Sequence, residues 1–210
     1  MTFEELKARL NDYAYELPGE DSQLRMAPLS RGRYPMDENV IAAATRSAVL
    51  VLLYPKGNAA HTILIKRNEY AGVHSAQVSF PGGRHEEEDA DLSVTAVREA
   101  EEEIGIDRSQ LHVISQLTHL YIPPSRYLVY PFLATADKRP EFTPDPKEVQ
   151  AIMELNLDQL LDDSISKSKQ MPLSSGLLTD VPYFDIHGHV VWGATAMILS
   201  ELKELLRQLR

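Results

Sequence analysis

The sequence predicts an α+β fold, in which a mixed central sheet carries helices packed on its faces. Two apolar runs, at residues 48–54 and 62–66, are separated by PKGNAAH and predict a central β-hairpin. Helical patterns occur at both ends and in the middle of the chain, among strands that are joined mainly by hairpins. Strict alternation of strand and helix is missing from the pattern, which disfavours a doubly wound parallel sheet.

The elements follow in order from local patterns. A helix is expected over residues 2–16, where apolar residues recur at helical spacing: Phe3, Leu6, Leu10 and Tyr13. The prolines and glycines of residues 17–40 predict an extended loop. A short strand over 76–80 leads to Gly82 and Gly83, and Asp91 is expected to cap a helix over 92–104 that Gly105 ends. We then expect strands near 111–120, 127–136 and 148–155, a short helix over 157–162, a hairpin over 183–192 turning at 187–188, and a terminal helix over 194–209.

Length and composition restrict the class of protein. At about 150 residues per domain, the 210 residues predict a single domain, 1–210, with the first helix and loop (about 1–45) as decoration. The chain has no cysteine, which excludes disulfides, thiol nucleophiles and thiolate metal sites. A net charge of −10 argues against nucleic acid as a partner. No apolar run approaches the roughly 18 residues of a membrane span, so we expect no membrane association and a cytoplasmic location by default.

Most of the negative charge lies in one segment. Residues 86–103 contain nine acidic residues and one basic residue, Arg98. On a helix over 92–104, Glu99, Glu102 and Glu103 share one face, and we expect the opposite, buried face to contain Val94, Val97, Ala100 and Ile104. Carboxylates three and four residues apart repel one another, and a divalent cation such as Mg²⁺ would offset that repulsion. The alternative is a solvated acidic helix face without a ligand.

The segment GGRHEEEDADLSVTAVREAEEEIGI, residues 82–106, resembles the Nudix box, G-x5-E-x7-R-E-U-x-E-E-x-G-U, where U is aliphatic. The second half of the pattern matches at Arg98, Glu99, Ala100, Glu102, Glu103, Gly105 and Ile106. The first half departs from it, since Asp89 stands in place of glutamate and eight residues separate it from Arg98. The resemblance implies a Nudix-like α/β/α sandwich, with the catalytic helix packed on the sheet.

A second segment, LIKRNEYAGVHSAQVSFPGG at residues 64–83, is similar to the extra motif of the coenzyme A pyrophosphatase branch of Nudix hydrolases. Residues 120–132, LYIPPSRYLVYPF, also look like that branch. The resemblance implies hydrolysis of the pyrophosphate bond of coenzyme A, giving 4′-phosphopantetheine and adenosine 3′,5′-bisphosphate, with Mg²⁺ as cofactor and Mn²⁺ as the alternative ion.

The resemblance also implies roles for single residues. The expected metal ligands are Glu99, Glu103 and Glu102, together with the carbonyl of Gly83. Arg98 is expected to hold a carboxylate in place, and Glu148 is the expected general base, with an exposed acid at the start of a strand as the alternative interpretation. The expected substrate contacts are Lys66, Arg67, His74, Gln77, Ser79, Phe80, Arg84 and Arg126.

Two other functions stay open at this point. The box alone does not fix the substrate, so ADP-ribose, a dinucleotide or another nucleoside diphosphate derivative is an alternative to coenzyme A. A Nudix module that binds a nucleotide without cleaving it is the second alternative, and the intact set of three glutamates argues against it. A homodimer formed through the exposed edges of the 183–192 hairpin is a further expectation.

Overall fold

The computed structural model describes residues 1–12, 15–29, 31, 33, 37–68, 77–172, 176 and 178–210. Its helices are α1 (Phe3–Asp12), α2 (Gly19–Leu24), α3 (Glu38–Ala43), α4 (Leu92–Ile104), α5 (Leu157–Leu161) and α6 (Gly193–Gln208). Its strands are β1 (Thr45–Lys56), β2 (Ala59–Arg67), β3 (Val78–Ser79), β4 (Gly82–Arg84), β5 (His112–Gln116), β6 (Leu120–Ile122), β7 (Tyr127–Thr135), β8 (Val149–Asn156), β9 (Ser166–Pro172), β10 (Leu178–Ile186) and β11 (His189–Trp192).

The main sheet is mixed, which confirms the predicted fold class. Within the described residues it contains eight strands, in the order β3-β2-β1-β7-β5, with β4 paired to β1, β6 to β7 and β8 to β2. Strands β1 and β7 run parallel, from Thr45 opposite Tyr127 onward. The pairs β1-β2, β2-β8 and β5-β7 are antiparallel.

Two layers of helices cover the two faces of this sheet. Alternate residues of β1 point to opposite sides, so that Leu50 and Leu52 pack with α4 while Val51 and Leu53 pack with α1 and α6. The α4 side contains Ala96, Ala100 and Ile104 of the helix. The architecture is therefore helix, sheet, helix, and it places α4 directly over β1 and β4.

Helix α4 begins and ends where the sequence predicts. The Asp91 side chain accepts hydrogen bonds from the backbone N–H groups of Ser93 and Val94. Gly105 follows the helix with φ +66°, a left-handed conformation that glycine adopts without steric cost. These signals are local, so the adjacent sequence is enough to predict where the helix begins and ends.

Three predictions about the other elements need correction. The expected loop 17–40 contains α2 and the start of α3, for which Asp37 is the cap that accepts from Val40 N at 2.9 Å. The expected strand 111–120 is divided into β5 and β6. Between them, Thr118 N donates its hydrogen bond to Glu201 Oε1, at 3.1 Å. Helix α1 is shorter than predicted, ending at Asp12, and Tyr13 lies outside the described residues.

The C-terminal hairpin is present and is larger than predicted. Residues 183 and 192 pair, and the turn is at His187 and Gly188, both with positive φ. Strand β10 begins earlier than predicted, and β9, which the sequence analysis did not predict, pairs along it to make a three-stranded sheet. Among the described residues, no helix combines the length and the apolar character that crossing a membrane requires.

Candidate active site

The glycines of β4 lie against helix α4 and hold one of its carboxylates. Gly82 N donates a hydrogen bond to Glu103 Oε2 at 2.8 Å, and the Glu103 side chain is only 2% exposed. Arg67, at the end of β2, donates from Nη2 to Gly82 O at 2.7 Å. The same nitrogen lies 2.7 Å from Glu103 Oε1. These three residues therefore form a closed ring that fixes the carboxylate between β2, β4 and α4.

One oxygen of this carboxylate keeps unused bonding capacity. The approach of Arg67 Nη2 to Glu103 Oε1 has the distance of an ion pair but lacks the alignment of a hydrogen bond. Glu103 Oε1 is buried and accepts no hydrogen bond from the described part of the chain. A buried acceptor without a hydrogen bond costs free energy, and the charge of Arg67 at 2.7 Å offsets part of that cost here.

Both glycines are required by close approach of their neighbours. Gly82 has φ +154°, and a Cβ on it would collide with the backbone of Ala48 and Val49 in β1. A Cβ on Gly83 would overlap the carboxylate of Glu99. A side chain at position 82 would therefore push β4 away from β1, whereas at position 83 it would displace the carboxylate of Glu99.

Arg98 connects the loop before α4 to the carboxylates on α4. Its Nε and Nη2 donate to the two oxygens of Asp89 at 2.9 and 3.0 Å. Its Nη1 donates to Glu99 Oε1 and Glu102 Oε2, each at 3.0 Å. Asp89 is 7% exposed and also accepts from Thr95 Oγ1 at 2.8 Å. The paired bond to Arg98 holds the pKa of Asp89 well below its usual range.

The sequence predicted that the three glutamates of α4 share one exposed face, but the structure does not place them together on such a face. Glu103 lies inside, within the buried arc of the helix that includes Ala96 and Ala100, whereas the Glu102 side chain is 59% exposed. Val94, expected in the core, is 36% exposed. The spacing gave the angles between the carboxylates correctly, but the arc that faces the sheet is rotated toward Glu103. The carboxylates therefore differ in environment, with Glu99 between the other two.

Burial dominates the protonation of the inner carboxylates. It raises the pKa of Glu103 from 4.5 to about 7, against the opposing effect of Arg67. Burial also raises the pKa of Glu99, against the opposing effect of Arg98. The negative charge of Glu148 raises both of these pKa values further. The three acids are thus electrostatically coupled, and a cation between them would favour their charged forms.

Glu148 reaches this region from a separate part of the chain. It is exposed and stands in a turn immediately before β8. The turn is attached to α4, because Asp145 N donates to Glu103 O at 3.0 Å. The structure therefore brings Glu148 near Glu99 and Glu103, although 45 residues or more of sequence separate them.

Comparison with known proteins agrees with this arrangement. The family model of the NUDIX domain matches residues 44–173, which is more than half of the chain. The chain belongs to the Nudix hydrolase family. The predicted family membership is therefore confirmed, and Nudix hydrolases generally use divalent metals such as Mg²⁺ or Mn²⁺.

Similar proteins include plant and bacterial Nudix hydrolases. The chain is 35% identical over 161 residues to "Nudix hydrolase 15, mitochondrial" of Arabidopsis thaliana, covering 73% of this chain and 56% of that protein. It thus spans about half the length of that plant relative. It is 32% identical over 143 residues to the "Uncharacterized Nudix hydrolase NudL" of Photorhabdus laumondii, covering 68% of this chain and 75% of that protein. An Ap4A hydrolase from C. elegans superimposes with a TM-score of 0.53 at 16% identity, over 79% of this chain and 99% of that one, and shows a shared fold.

Two of the expected substrate contacts have other roles in this Nudix structure. Phe80 is 1% exposed and belongs to the core on the α1 and α6 side, so its ring is not available to a substrate. Arg67 points to Glu103 and Gly82, and its Nε donates to Ser79 Oγ at 3.3 Å. Its guanidinium is therefore held inside the site by the protein's own groups. The expectation for Phe80 is corrected by its packing in the core, whereas a substrate contact of Arg67 stays a prediction.

The remaining expected contacts are divided between the two faces of the sheet. Lys66 pairs with Val78, which packs on the side opposite α4, so Lys66 also points to that side. Arg84 is exposed and pairs with Ser47 near the start of β1. Arg126 is exposed at the turn before β7, with φ +56°, and its carbonyl accepts from Thr45 N at 2.9 Å. Gln77 is partly buried beside β3, and His74 lies outside the described residues.

The site is compatible with a bound cation, although it is not preorganised. Within the described residues, no three His, Asp or Glu side chains converge closely enough to form a ready metal cluster. Two of the expected ligands are turned toward Arg98, which donates to both Glu99 and Glu102. Glu103 Oε1, which accepts no hydrogen bond from the described residues, and the Glu99 carboxylate packed on Gly83 are nevertheless hard oxygen ligands of the kind that Mg²⁺ prefers.

Two residues that organise this region were not assigned a role from the sequence. For Asp89 the extra residue in the box obscured that role, although an acid in the loop was the available signal. Asn68, a polar residue directly after a buried strand, contacts the turn of Glu148.

Proposed function

We propose that this protein is a Mg²⁺-dependent hydrolase of the pyrophosphate bond in coenzyme A or its derivatives, giving 4′-phosphopantetheine and adenosine 3′,5′-bisphosphate. The observation that carries the proposal is the buried Glu103 carboxylate, with one oxygen fixed by Gly82 and the other without a hydrogen bond, beside Glu99. This arrangement supports a divalent cation in contact with a diphosphate. The choice of coenzyme A rests on residues 64–83, which supply Arg67, Ser79 and the two glycines.

The proposed metal ligands are Glu99, Glu103 and Glu102, with the carbonyl of Gly83. When bound, Mg²⁺ would neutralise the diphosphate and lower the pKa of a water molecule. Arg98 orients Glu99 and Glu102 through its Nη1, while its other two nitrogens are anchored on Asp89.

In the proposed reaction, a water oxygen attacks one phosphorus and the bridging P–O bond breaks. The Glu148 carboxylate accepts the proton of the attacking water, and the leaving phosphate takes the electron pair of the broken bond. An exposed carboxylate near Glu99 and Glu103 suits this step, because water reaches it directly.

The proposed contacts with the substrate are the exposed cations Arg84 and Arg126, which would attract a phosphate-rich ligand. Lys66 is left out of this set because it points to the other face of the sheet. Gln77, Ser79 and His74 complete the proposed set from the 64–83 segment. We further propose that residues 1–210 act as one domain, since α1 and α6 pack into the same core as the sheet.

Product analysis by mass spectrometry tests the proposal. The protein is incubated with coenzyme A and, separately, with ADP-ribose, in Mg²⁺ or in chelator. We expect Mg²⁺-dependent 4′-phosphopantetheine and little cleavage of ADP-ribose. Cleavage of ADP-ribose alone would reject coenzyme A as substrate, and no cleavage of either would reject the proposed activity.

Two glutamine variants of the same helix serve as a matched pair. Glu103→Gln should lower turnover by about 100-fold or more, because it removes a charged ligand from the site. Glu101→Gln should leave turnover unchanged, because Glu101 points away from the site and pairs with Arg108. Equal loss in both variants would indicate damage to the helix rather than to a metal site.

A further inference from the structure

The turn that carries Glu148 is fastened on one side to helix α4. Asp145 N donates to Glu103 O at 3.0 Å, and Thr143 N donates to Ile104 O at 2.8 Å. The Asp145 carbonyl in turn accepts from Glu148 N at 3.1 Å and from Val149 N at 2.9 Å. Lys147 N also donates to Asp145 Oδ1 at 2.9 Å, so the turn is partly held from within. The Pro146 and Glu148 carbonyls in its outer part, residues 146–148, are bonded from elsewhere.

Asn68 holds that outer part from the opposite side. It directly follows β2, and its backbone N donates to Glu148 O at 2.9 Å. Its side-chain Nδ2 donates to Pro146 O at 2.8 Å. One residue thus binds two carbonyls of the turn, one of them belonging to Glu148 itself.

The pairing of β2 with β8 explains why the turn is bonded by the side chain of Asn68. Strands β2 and β8 change register between Lys66 and Arg67, since Lys66 pairs with Ala151 and Arg67 with Val149. The ladder therefore ends irregularly just before the turn. Pro146 O receives its hydrogen bond from the Asn68 side chain, at a position beyond the paired residues.

The length of the Asn68 side chain suits this contact. An alanine would remove the donor to Pro146 while keeping the backbone bond to Glu148. Because Glu148 is exposed, few packing contacts restrain its side chain, and its location depends on the backbone of the turn. A displacement of about 1 Å in a reacting group can lower a rate by about 100-fold.

We infer that Asn68 is a positioning residue, which fixes the turn of Glu148 beside Glu99 and Glu103 and so sets the rate of hydrolysis. The inference rests on the proposed function for its effect on rate, but its structural part, the restraint of the turn, stands by itself. Within the described residues, both hydrogen bonds that Asn68 donates go to the turn, so it acts through Glu148.

A double-mutant cycle tests the effect on rate. The proteins are the wild type, Asn68→Ala, Glu148→Gln and the double variant, assayed on whichever of coenzyme A and ADP-ribose the wild type cleaves. We expect Asn68→Ala to lower kcat by about 10- to 100-fold with KM within about twofold. In the Glu148→Gln background the same change should alter kcat by less than about twofold, because the residue acts through Glu148. Losses that multiply in the double variant would overturn the inference.

A matched control separates positioning from general stability. Asn156 is also an asparagine whose side chain bonds the backbone, through Oδ1 accepting from Asp158 N at 2.8 Å, but it lies at the far end of β8. Asn156→Ala should leave kcat unchanged. If both alanine variants lower kcat equally, the effect belongs to the stability of the sheet and the inference fails.

Hydrogen exchange of residues 145–149 tests the restraint without any activity. Asn68→Ala should speed exchange of the Glu148 and Val149 amides by about tenfold or more, since the turn loses one of the two hydrogen bonds that Asn68 donates to it. Exchange at the wild-type rate would overturn the inference even if the substrate were identified. A third outcome is faster exchange in Asn68→Ala together with a Glu148→Gln variant that hydrolyses the substrate at the wild-type rate. That outcome would reject Glu148 as the base, and with it the proposed effect of Asn68 on rate.

Discussion

Replacing Glu103 with glutamine removes a buried carboxyl group and keeps the shape of the side chain. Burial raises the pKa of this group from 4.5 to about 7 in the folded protein, so the fold favours its neutral form. A raised pKa contributes stability that is complete below the unfolded value, 4.5, and is lost as the pH rises through the folded value, about 7. Without a cation, ionised Glu103 therefore destabilises the protein at pH 8.

The size of this effect follows from the pKa. A rise from 4.5 to about 7 corresponds to about 3 kcal/mol, at 1.36 kcal/mol for each pKa unit. Between pH 5 and pH 8 the folded protein should lose about 2 to 3 kcal/mol of this contribution. Glutamine cannot ionise, so the free energy of unfolding of the variant, relative to the wild type, should rise by that amount over the same range.

Urea unfolding in chelator at pH 5, 6, 7 and 8 measures the difference. Loss of the ion pair with Arg67 also lowers the free energy of unfolding of the variant. Any part of that loss that is constant with pH cancels, because only the change with pH in the difference between variant and wild type is compared. Glu101→Gln is the control, since the hydrogen bond with Arg108 lowers the pKa of that half-buried acid and it stays ionised throughout. A difference between Glu103→Gln and wild type that stays flat from pH 5 to pH 8 would refute the reasoning. It would show that Arg67 and Gly82 keep Glu103 charged despite its burial.

Two further substitutions test the contacts around the helix. Gly83→Ala should lower Mg²⁺-dependent turnover by about tenfold or more, because its Cβ would overlap the Glu99 carboxylate, and unchanged turnover would show that Glu99 is not needed at that position. Asp89→Asn should lower the free energy of unfolding at pH 7 by about 2 kcal/mol, measured by urea unfolding, because it removes the charged partner of Arg98 from a buried site. The exposed helix cap Asp91→Asn is its control and should cost less than about 1 kcal/mol, and equal costs would contradict a special role for Asp89.

The sequence predicted helix α4 well because its signals are adjacent to it. Asp91 satisfies the first free N–H groups, and Gly105 supplies the left-handed residue at the end. The burial of Glu103 could not be predicted in the same way. It depends on Gly82 and on Arg67, which reach the helix only when β2 and β4 are in place. Spacing gives the angles between side chains on a helix, and tertiary contacts decide which of them face inward.

The missed elements have a similar physical cause. Helix α2 is short, and its Gln23 is 1% exposed because it donates to Glu201 Oε2 at 2.8 Å, 178 residues away in sequence. The same carboxylate accepts from Thr118 N and interrupts the strand that the sequence predicted as continuous. A single buried glutamate on α6 therefore determines two local structures that no local pattern encodes.

Asp89 shows how a structural role survives a change in the spacing of a motif. Its backbone N donates to Glu86 O at 3.2 Å, and its Oδ2 accepts from Glu86 N at 3.1 Å, so residues 86–89 fold into a compact turn. The additional residue in the loop lengthens the sequence between Asp89 and Arg98 without preventing their paired hydrogen bond. The shorter side chain of aspartate is sufficient because this turn brings its backbone to the guanidinium. The site requires a carboxylate of the loop beside the Arg98 guanidinium, and the number of residues between the two can vary.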